Sequence, residues 1–175
     1  MKLNKRLPVL IFCALLAAMT MVFKRFAFFN IDWLRFSLEN TPVLMSGIFF
    51  GPLAGFATGM VGDILGCFYC GYAINPLITL GMALVGGLSG LFYHQLLLKA
   101  PNFLRLIVSV YVAHIVGNMI VKSIGLYLWM GYSLPLLVWR IPTYIIIGAV
   151  EIALLRILIS NQTLNKQLQK MNRKS

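Results

Sequence analysis

The chain has 175 residues, 60% of them hydrophobic and 11% charged, with a mean hydropathy of +0.87, and several apolar stretches long enough to cross about 30 Å of hydrocarbon. That composition excludes a soluble globular protein and leaves room for one integral membrane domain spanning 1–175, a bundle of five or six helices with short loops. The net charge of +11 would suggest nucleic acid in a soluble chain, but most of the cations lie at the two ends and in one mid-chain loop, as the positive-inside rule marks cytoplasmic segments, so no nucleic-acid partner is expected.

Lys2, Lys5 and Arg6 precede the first apolar run, Leu7 to Phe23. A basic start before an apolar run is also how a signal peptide begins, but this run exceeds a typical h-region and is expected to remain as the first helix. On it Ala14 and Ala18 lie four apart with Ala17 beside them, a small-xxx-small surface for close packing within the bundle or against another subunit. The next segment, Lys24 to Thr41, interleaves aromatics with charges more densely than a plain connector requires.

Within the second apolar run, Pro42 to Gly66, glycine recurs at Gly47, Gly51, Gly55 and Gly59, with Pro52 inside the series. Residues four apart share a helix face, so the glycines form a smooth stripe that lets another backbone approach closely in lipid. Proline signals a break. Further runs cover Asn75 to Leu98, Phe103 to Met130 and Ile141 to Ser160, which makes five spans and puts the two basic ends on opposite sides. Dividing the second run at Gly51-Pro52 makes six, and the amino terminus, the Lys99 to Arg105 loop and the carboxyl tail then all face the cytoplasm. Two short helices are expected there, covered by protein because broken helices do not face lipid. The outer side then receives Lys24 to Thr41, Cys67 to Ile74 and Met130 to Arg140. Aromatics in these segments, among them Trp129, Tyr132 and Trp139, either form an interfacial belt or line a ligand mouth.

Asp63, Asn118, Lys122 and Glu151 sit where lipid would penalise them, and such groups mark ligand or ion pathways. Asn118 and Lys122 are four apart on one helix face. Lys122 and Glu151 either serve a ligand or pair to hold two helices together, and Glu151 has Arg156 or a partner subunit as other choices. Asp63, read as the end of the glycine run, either caps the next helix or meets a ligand donor. Asn75-Pro76 is a good helix start, and Thr79 and Gly81 follow it closely enough to let a ligand approach. Cys67 and Cys70 form a CxxC, which raises a membrane thiol–disulfide oxidoreductase as an alternative of another class. His94 and His114 lack the spacing of a metal site and read as interfacial or core residues. No metal or cofactor is expected.

Three stretches, LRFSLENTPVLMSGIFFGPLAGFATGMVGDILG, GYAINPLITLGMALVGGLSGL and the WRIP at Trp139 to Pro142, resemble the substrate-capture subunits, or S components, of energy-coupling factor (ECF) vitamin transporters, and among them the folate-type group. The resemblance covers nearly the whole chain. It implies an all-α six-transmembrane-helix bundle with both termini cytoplasmic, in the plasma membrane of a prokaryote, and an outward-facing vitamin site beneath the first, third and fifth loops. It also implies no ATPase of its own, with a membrane coupling protein and two ATPase subunits as partners. The Ala14/Ala18 pair looks like the alanine motif by which S components dock on the coupling protein. Folate suits the outer residues. Its two carboxylates want cations such as Arg35, Lys122 or Arg140, and its flat pterin can stack on Trp33, Phe36 or Trp139 and bond Asp63, Asn75 or Asn118. Thr79 completes the candidate set. Pantothenate, with one carboxylate and no ring, is the alternative ligand.

Overall fold

The structure, a computed structural model, describes residues 3–26, 29–31, 34–133, 135 and 138–161. Helix α1 (Leu3–Arg25) leads into a two-stranded antiparallel hairpin, β1 (Phe29–Ile31) and β2 (Leu34–Phe36), which pairs Phe29 with Phe36 and Asn30 with Arg35. There follow α2 (Asn40–Phe50), α3 (Pro52–Cys70) and α4 (Pro76–Leu91), the last continued by a π-helical turn at Phe92–Leu96. Helix α5 (Asn102–Ala113) passes through a π-helical segment, His114–Val121, into α6 (Lys122–Met130), and α7 (Arg140–Ser160) closes the bundle. Among the described residues five helical stretches are long and apolar enough to cross a membrane: Leu7–Arg25, Pro52–Cys70, Pro76–Leu96, Asn102–Met130 and Arg140–Ser160.

The break falls where the sequence places it. Gly51 separates α2 from α3 with φ 94° and ψ 176°, a conformation that side chains with a Cβ avoid, and Pro52 occupies the first position of α3, where its missing N–H costs nothing. Only one of the two helices is short, however. With 11 residues α2 extends roughly 16 Å at 1.5 Å per residue, whereas α3 has 19 residues and runs on to Cys70, ending on left-handed Gly71. The loop expected to begin at Cys67 therefore begins at Gly71, because a glycine in the left-handed conformation terminates a helix where an aromatic-rich apolar stretch does not.

Helix α4 is the hub, packed by α2, α3, α5, the second π segment and α6. Its contact with α3 is a seam of small residues running antiparallel. A Cβ added at Gly55 would meet the Gly86 carbonyl oxygen, with its carbon at 2.6 Å and Gly47 Cα at 2.7 Å; one added at Gly59 would lie 2.9 Å from the Met82 carbonyl carbon. One helical turn further along the same seam Asp63 faces Thr79. Gly47, across the break on α2, is pressed against Gly86, Ser89 and Gly90 of the same helix. The stripe thus survives the break because both halves turn it toward α4. Gly51 is its exception, with open space where a Cβ would stand. On its other side α4 crosses the second π segment at Gly81 and Gly117, where an added Cβ on Gly81 would lie 2.7 Å from the Gly117 oxygen.

The apolar core, Val43, Leu44, Ile48, Met82, Val85, Leu106, Val110, Ala113, Ile152 and Leu155, joins α2, α4, α5 and α7. Overpacking a tight contact costs about 1–3 kcal/mol. Gly86→Ala is therefore expected to lower the unfolding midpoint of the detergent-solubilised protein, while Gly87→Ala, whose methyl would meet the Phe56 side chain at 3.3 Å and the Pro52 oxygen at 3.7 Å, changes it much less. Equal midpoints for the two variants would refute the seam.

Candidate ligand site

Polar side chains buried in the bundle gather toward the end that carries the hairpin, where α1 and α3 finish and α2, α4 and α7 begin. The first cluster is built on Asp63, two turns before the end of α3 and 1% exposed. Lys24, from the last turn of α1, places Nζ 2.6 Å from Asp63 Oδ1 and 3.2 Å from Cys67 Sγ. The Thr79 hydroxyl of α4 donates to Asp63 Oδ2 at 2.6 Å. Asp63 is thus neither a helix end nor a cap. That expectation fails because α3 continues past it, and the cap of α4 is Asn75, whose Oδ1 accepts from the N–H groups of Leu77 at 3.0 Å and Ile78 at 3.4 Å. Asn75 Nδ2 also reaches the Gly125 oxygen at 3.4 Å, tying α4 to α6.

The second cluster runs through the bundle centre. Glu151 of α7 accepts from the Thr41 hydroxyl of α2 at 3.1 Å and faces His114 Nε2 at 2.6 Å, and Asn118 Nδ2 lies 2.8 Å from His114 Nδ1. The expected choices for Glu151, Lys122 or Arg156, are both replaced by His114, which comes from a helix 37 residues away in sequence. Arg156 instead stacks over Phe103 with its guanidinium 4.6 Å from the ring centre. The π-helical segment starts at His114 and ends just before Lys122, whose N–H bonds the Gly117 oxygen; irregular turns of this kind recur at functional sites. Asn118 and Lys122 are both buried, as their shared face implies.

Between the clusters Lys122 Nζ stands 3.6 Å from Glu39 Oε1 and 3.5 Å from Met82 Sδ. Gly81, expected to admit a ligand, is filled by this lysine, with Lys122 Cγ 2.6 Å from where its Cβ would be. At the rim Arg140, the first residue of α7, donates to Ser123 Oγ and to the Tyr144 hydroxyl, each at 3.1 Å, and lies 5.4 Å over the Tyr144 ring. Among the described residues this guanidinium bonds two neutral hydroxyls and no carboxylate. Trp139 beside it is exposed. Trp33 lies outside the described residues, and of Arg35 and Phe36 only the backbone, in β2, is described.

Three of the chain's four acidic residues, Glu39, Asp63 and Glu151, therefore sit in this layer opposite nitrogen. Lys24, Glu39, Thr41, Ser123 and Tyr144 belong to it without having been singled out in sequence, and His114, read there as an interfacial or core residue, is buried in it. The signals were faint: the four-residue spacing of His114, Asn118 and Lys122, and the scarcity of acids, which makes Glu39 notable. Cys67 and Cys70 stand on the last turn of α3 as thiols rather than in a loop. Cys67 is buried against Lys24.

A bundle of helices long and apolar enough to cross a membrane, enclosing a charged layer, defines a membrane-protein fold built around a polar site. The family model described as "ECF-type riboflavin transporter, S component" matches residues 6–166. The chain belongs to that family, the S components of ECF transporters. The folate transporter FolT of Clostridium novyi (strain NT) is 27% identical over 134 residues, 76% of each protein. Two solved structures share the fold at 24% identity: FolT bound with folic acid, with TM-score 0.69 over 82% of this chain and 87% of that one, and the S component of a bacterial ECF transporter, with TM-score 0.63 over 87% and 95%. Membership in a family of transport subunits sets the thiol–disulfide oxidoreductase reading aside.

Removing one member of a buried ion pair strands the other, at about 3–5 kcal/mol. Asp63→Leu is thus expected to lower thermal stability in detergent sharply, and the double variant Lys24→Met/Asp63→Leu to recover most of the loss. A double variant no better than the single one would show that the pair is not the source of the effect.

Proposed function

We propose that this chain is the substrate-binding membrane subunit of an ECF-type transporter in the prokaryotic plasma membrane, and that its ligand is folate. It captures the vitamin from outside and delivers it inward with a coupling protein and two ATPase subunits. The hairpin end faces outward, and six spans, counting α2 as the second, keep both termini and the Lys99 to Arg105 loop in the cytoplasm. The asymmetry of lysine and arginine supports that orientation.

Arg140 carries the ligand assignment. The lysines of the layer already face acids, Lys24 with Asp63 and Lys122 with Glu39, whereas Arg140 is held in place by two hydroxyls and a ring and meets no carboxylate among the described residues. A guanidinium so oriented suits a carboxylate, which it can take in a bidentate grip. Folate brings two carboxylates, riboflavin a neutral ring system, and pantothenate one carboxylate without a ring for Trp139 or Tyr144. The relative from Clostridium novyi, a folate transporter, supports the same choice. In this reading Arg35 joins Arg140 on the acid tail, Trp33, Phe36 and Trp139 meet the pterin and aryl rings, and Asp63, Asn75, Thr79, Asn118 and Lys122 enclose the inner end.

Folate added to the purified protein is expected to quench tryptophan fluorescence, and Arg140→Ala or Arg35→Ala to weaken binding about 10- to 100-fold, the worth of a charge-assisted hydrogen bond. A flat titration with folate alongside a saturable one with riboflavin would transfer the assignment to riboflavin, and flat titrations with folate, riboflavin and pantothenate would end it.

Ala14 and Ala18 both lie on the exposed face of α1, while Ala17 points into the bundle. We assign that smooth outer face to the coupling protein, since small residues allow helices to touch along their backbones in lipid. Ala14→Trp and Ala18→Trp are expected to abolish co-purification with the coupling module and vitamin uptake while leaving folate affinity unchanged. Normal uptake in both variants would refute the assignment.

A further inference from the structure

We propose that Glu151 and His114 are positioning residues that lock the Asn118 amide with its oxygen toward the ligand, so that the inner end of the site selects an N–H donor edge. The inference rests on the reading of the chain as a vitamin-binding subunit and concerns which face of the vitamin that subunit recognises.

The polarity follows from the hydrogen-bond chain, each link fixing the next. Taken as ionised in this proposal, Glu151 only accepts, with Oε1 from the Thr41 hydroxyl and with Oε2 from His114 Nε2 at 2.6 Å, so Nε2 carries the proton. With His114 neutral on the same premise, Nδ1 is a bare lone pair, and the Asn118 amide nitrogen, which only donates, lies 2.8 Å from it. Turning the amide over would set its oxygen against that lone pair. With nitrogen directed at His114, the oxygen Oδ1 must point the other way. Asn118 is completely buried, and Oδ1 has no hydrogen-bond partner among the described residues.

An orphan acceptor at this depth is uncommon, since nearly all buried polar groups are paired. The other two side chains suited to a heterocycle edge are already occupied: both oxygens of Asp63 are taken by Lys24 and Thr79, and the Asn75 amide is used by the α4 N-terminus and Gly125. A second orphan acceptor, Asn40 Oδ1, belongs to the residue next to Thr41, at the other end of the same chain of bonds. The layer therefore offers acceptors to a ligand that brings donors. The 2-amino and N3–H groups of a pterin are such donors, and a ligand edge made of bare ring nitrogens or carbonyls is rejected there.

The test has two arms. In protein labelled with nitrogen-15 histidine, without ligand, His114 is distinguished from the chain's other histidine by a His94→Gln variant. The imidazole is expected to be neutral with the proton on Nε2. A proton on Nδ1 would overturn the proposal whatever the ligand. In the second arm folate is compared with folate methylated at N3. Methylation is expected to weaken binding to the parent protein at least about 10-fold, because a buried acceptor is left unsatisfied. In Asn118→Leu that ratio should fall close to one, and in His114→Leu, where Asn118 remains but is no longer held, it should also shrink. Equal binding of the two compounds by the parent protein would overturn the donor rule, and an unchanged ratio in His114→Leu would overturn the positioning role. If neither compound binds, the folate reading fails, and the histidine measurement still decides how the amide is held.

Discussion

The backbone contact between α3 and α4 is the constraint on which the other features depend. Lipid tails give two apolar helices no hydrophobic reason to associate, so close packing has to supply the attraction. Gly55 against Gly86 and Gly59 against Met82 and Ala83 bring the two backbones together. Because the helices run antiparallel, the next step of the same register opposes Asp63 to Thr79, and the short separation set by glycine is what allows a threonine hydroxyl to reach a carboxylate at 2.6 Å. A steric seam thus ends in a polar bond.

The same geometry explains why a charged layer survives in so apolar a chain. An isolated carboxylate or ammonium at membrane depth costs several kcal/mol, and protein groups must replace the lost water. Here the replacement is spread over six helical elements. Lys24 comes from α1, Glu39 and Thr41 from the start of α2, Asp63 from α3, Thr79 from α4, His114, Asn118 and Lys122 from the π segment and its end, and Glu151 from α7. The pairs tie together helices that apolar packing alone would leave free to slide.

Local chemistry was the legible part of the sequence. Gly51-Pro52 declared its break because only glycine tolerates that φ and proline suits a first turn, and the positive-inside asymmetry demanded a division at the same place. Asn75-Pro76 declared a capped start for the same kind of reason. Asp63 was misread because Cys67 to Cys70 carries no local signal distinguishing a last helical turn from an aromatic loop; only the left-handed Gly71 does. The partner of Glu151 was invisible, since nothing in the residues around positions 114 and 151 says that a helix pairing 37 residues apart will bring them to 2.6 Å. Spacing reveals faces, and tertiary packing decides which faces meet.

On the proposed reading, charge balance separates the structural cations from Arg140, the one assigned to the ligand. Lys24 and Lys122 look like ligand groups by location, yet an incoming anion would have to compete with Asp63 or Glu39 for each of them, exchanging one carboxylate for another with little net gain. Arg140 presents the opposite case. Ser123 and Tyr144 fix its direction without neutralising it, and it stands at the rim, where part of its hydration is retained until a ligand arrives. A planar guanidinium held by neutral donors and acceptors keeps its full charge for a newcomer and loses little side-chain freedom on binding. On the proposed reading the site is graded: paired charges inside give it shape, the Asn118 oxygen gives it polarity, and Arg140, bonded to no carboxylate among the described residues, gives the mouth its attraction for an acid.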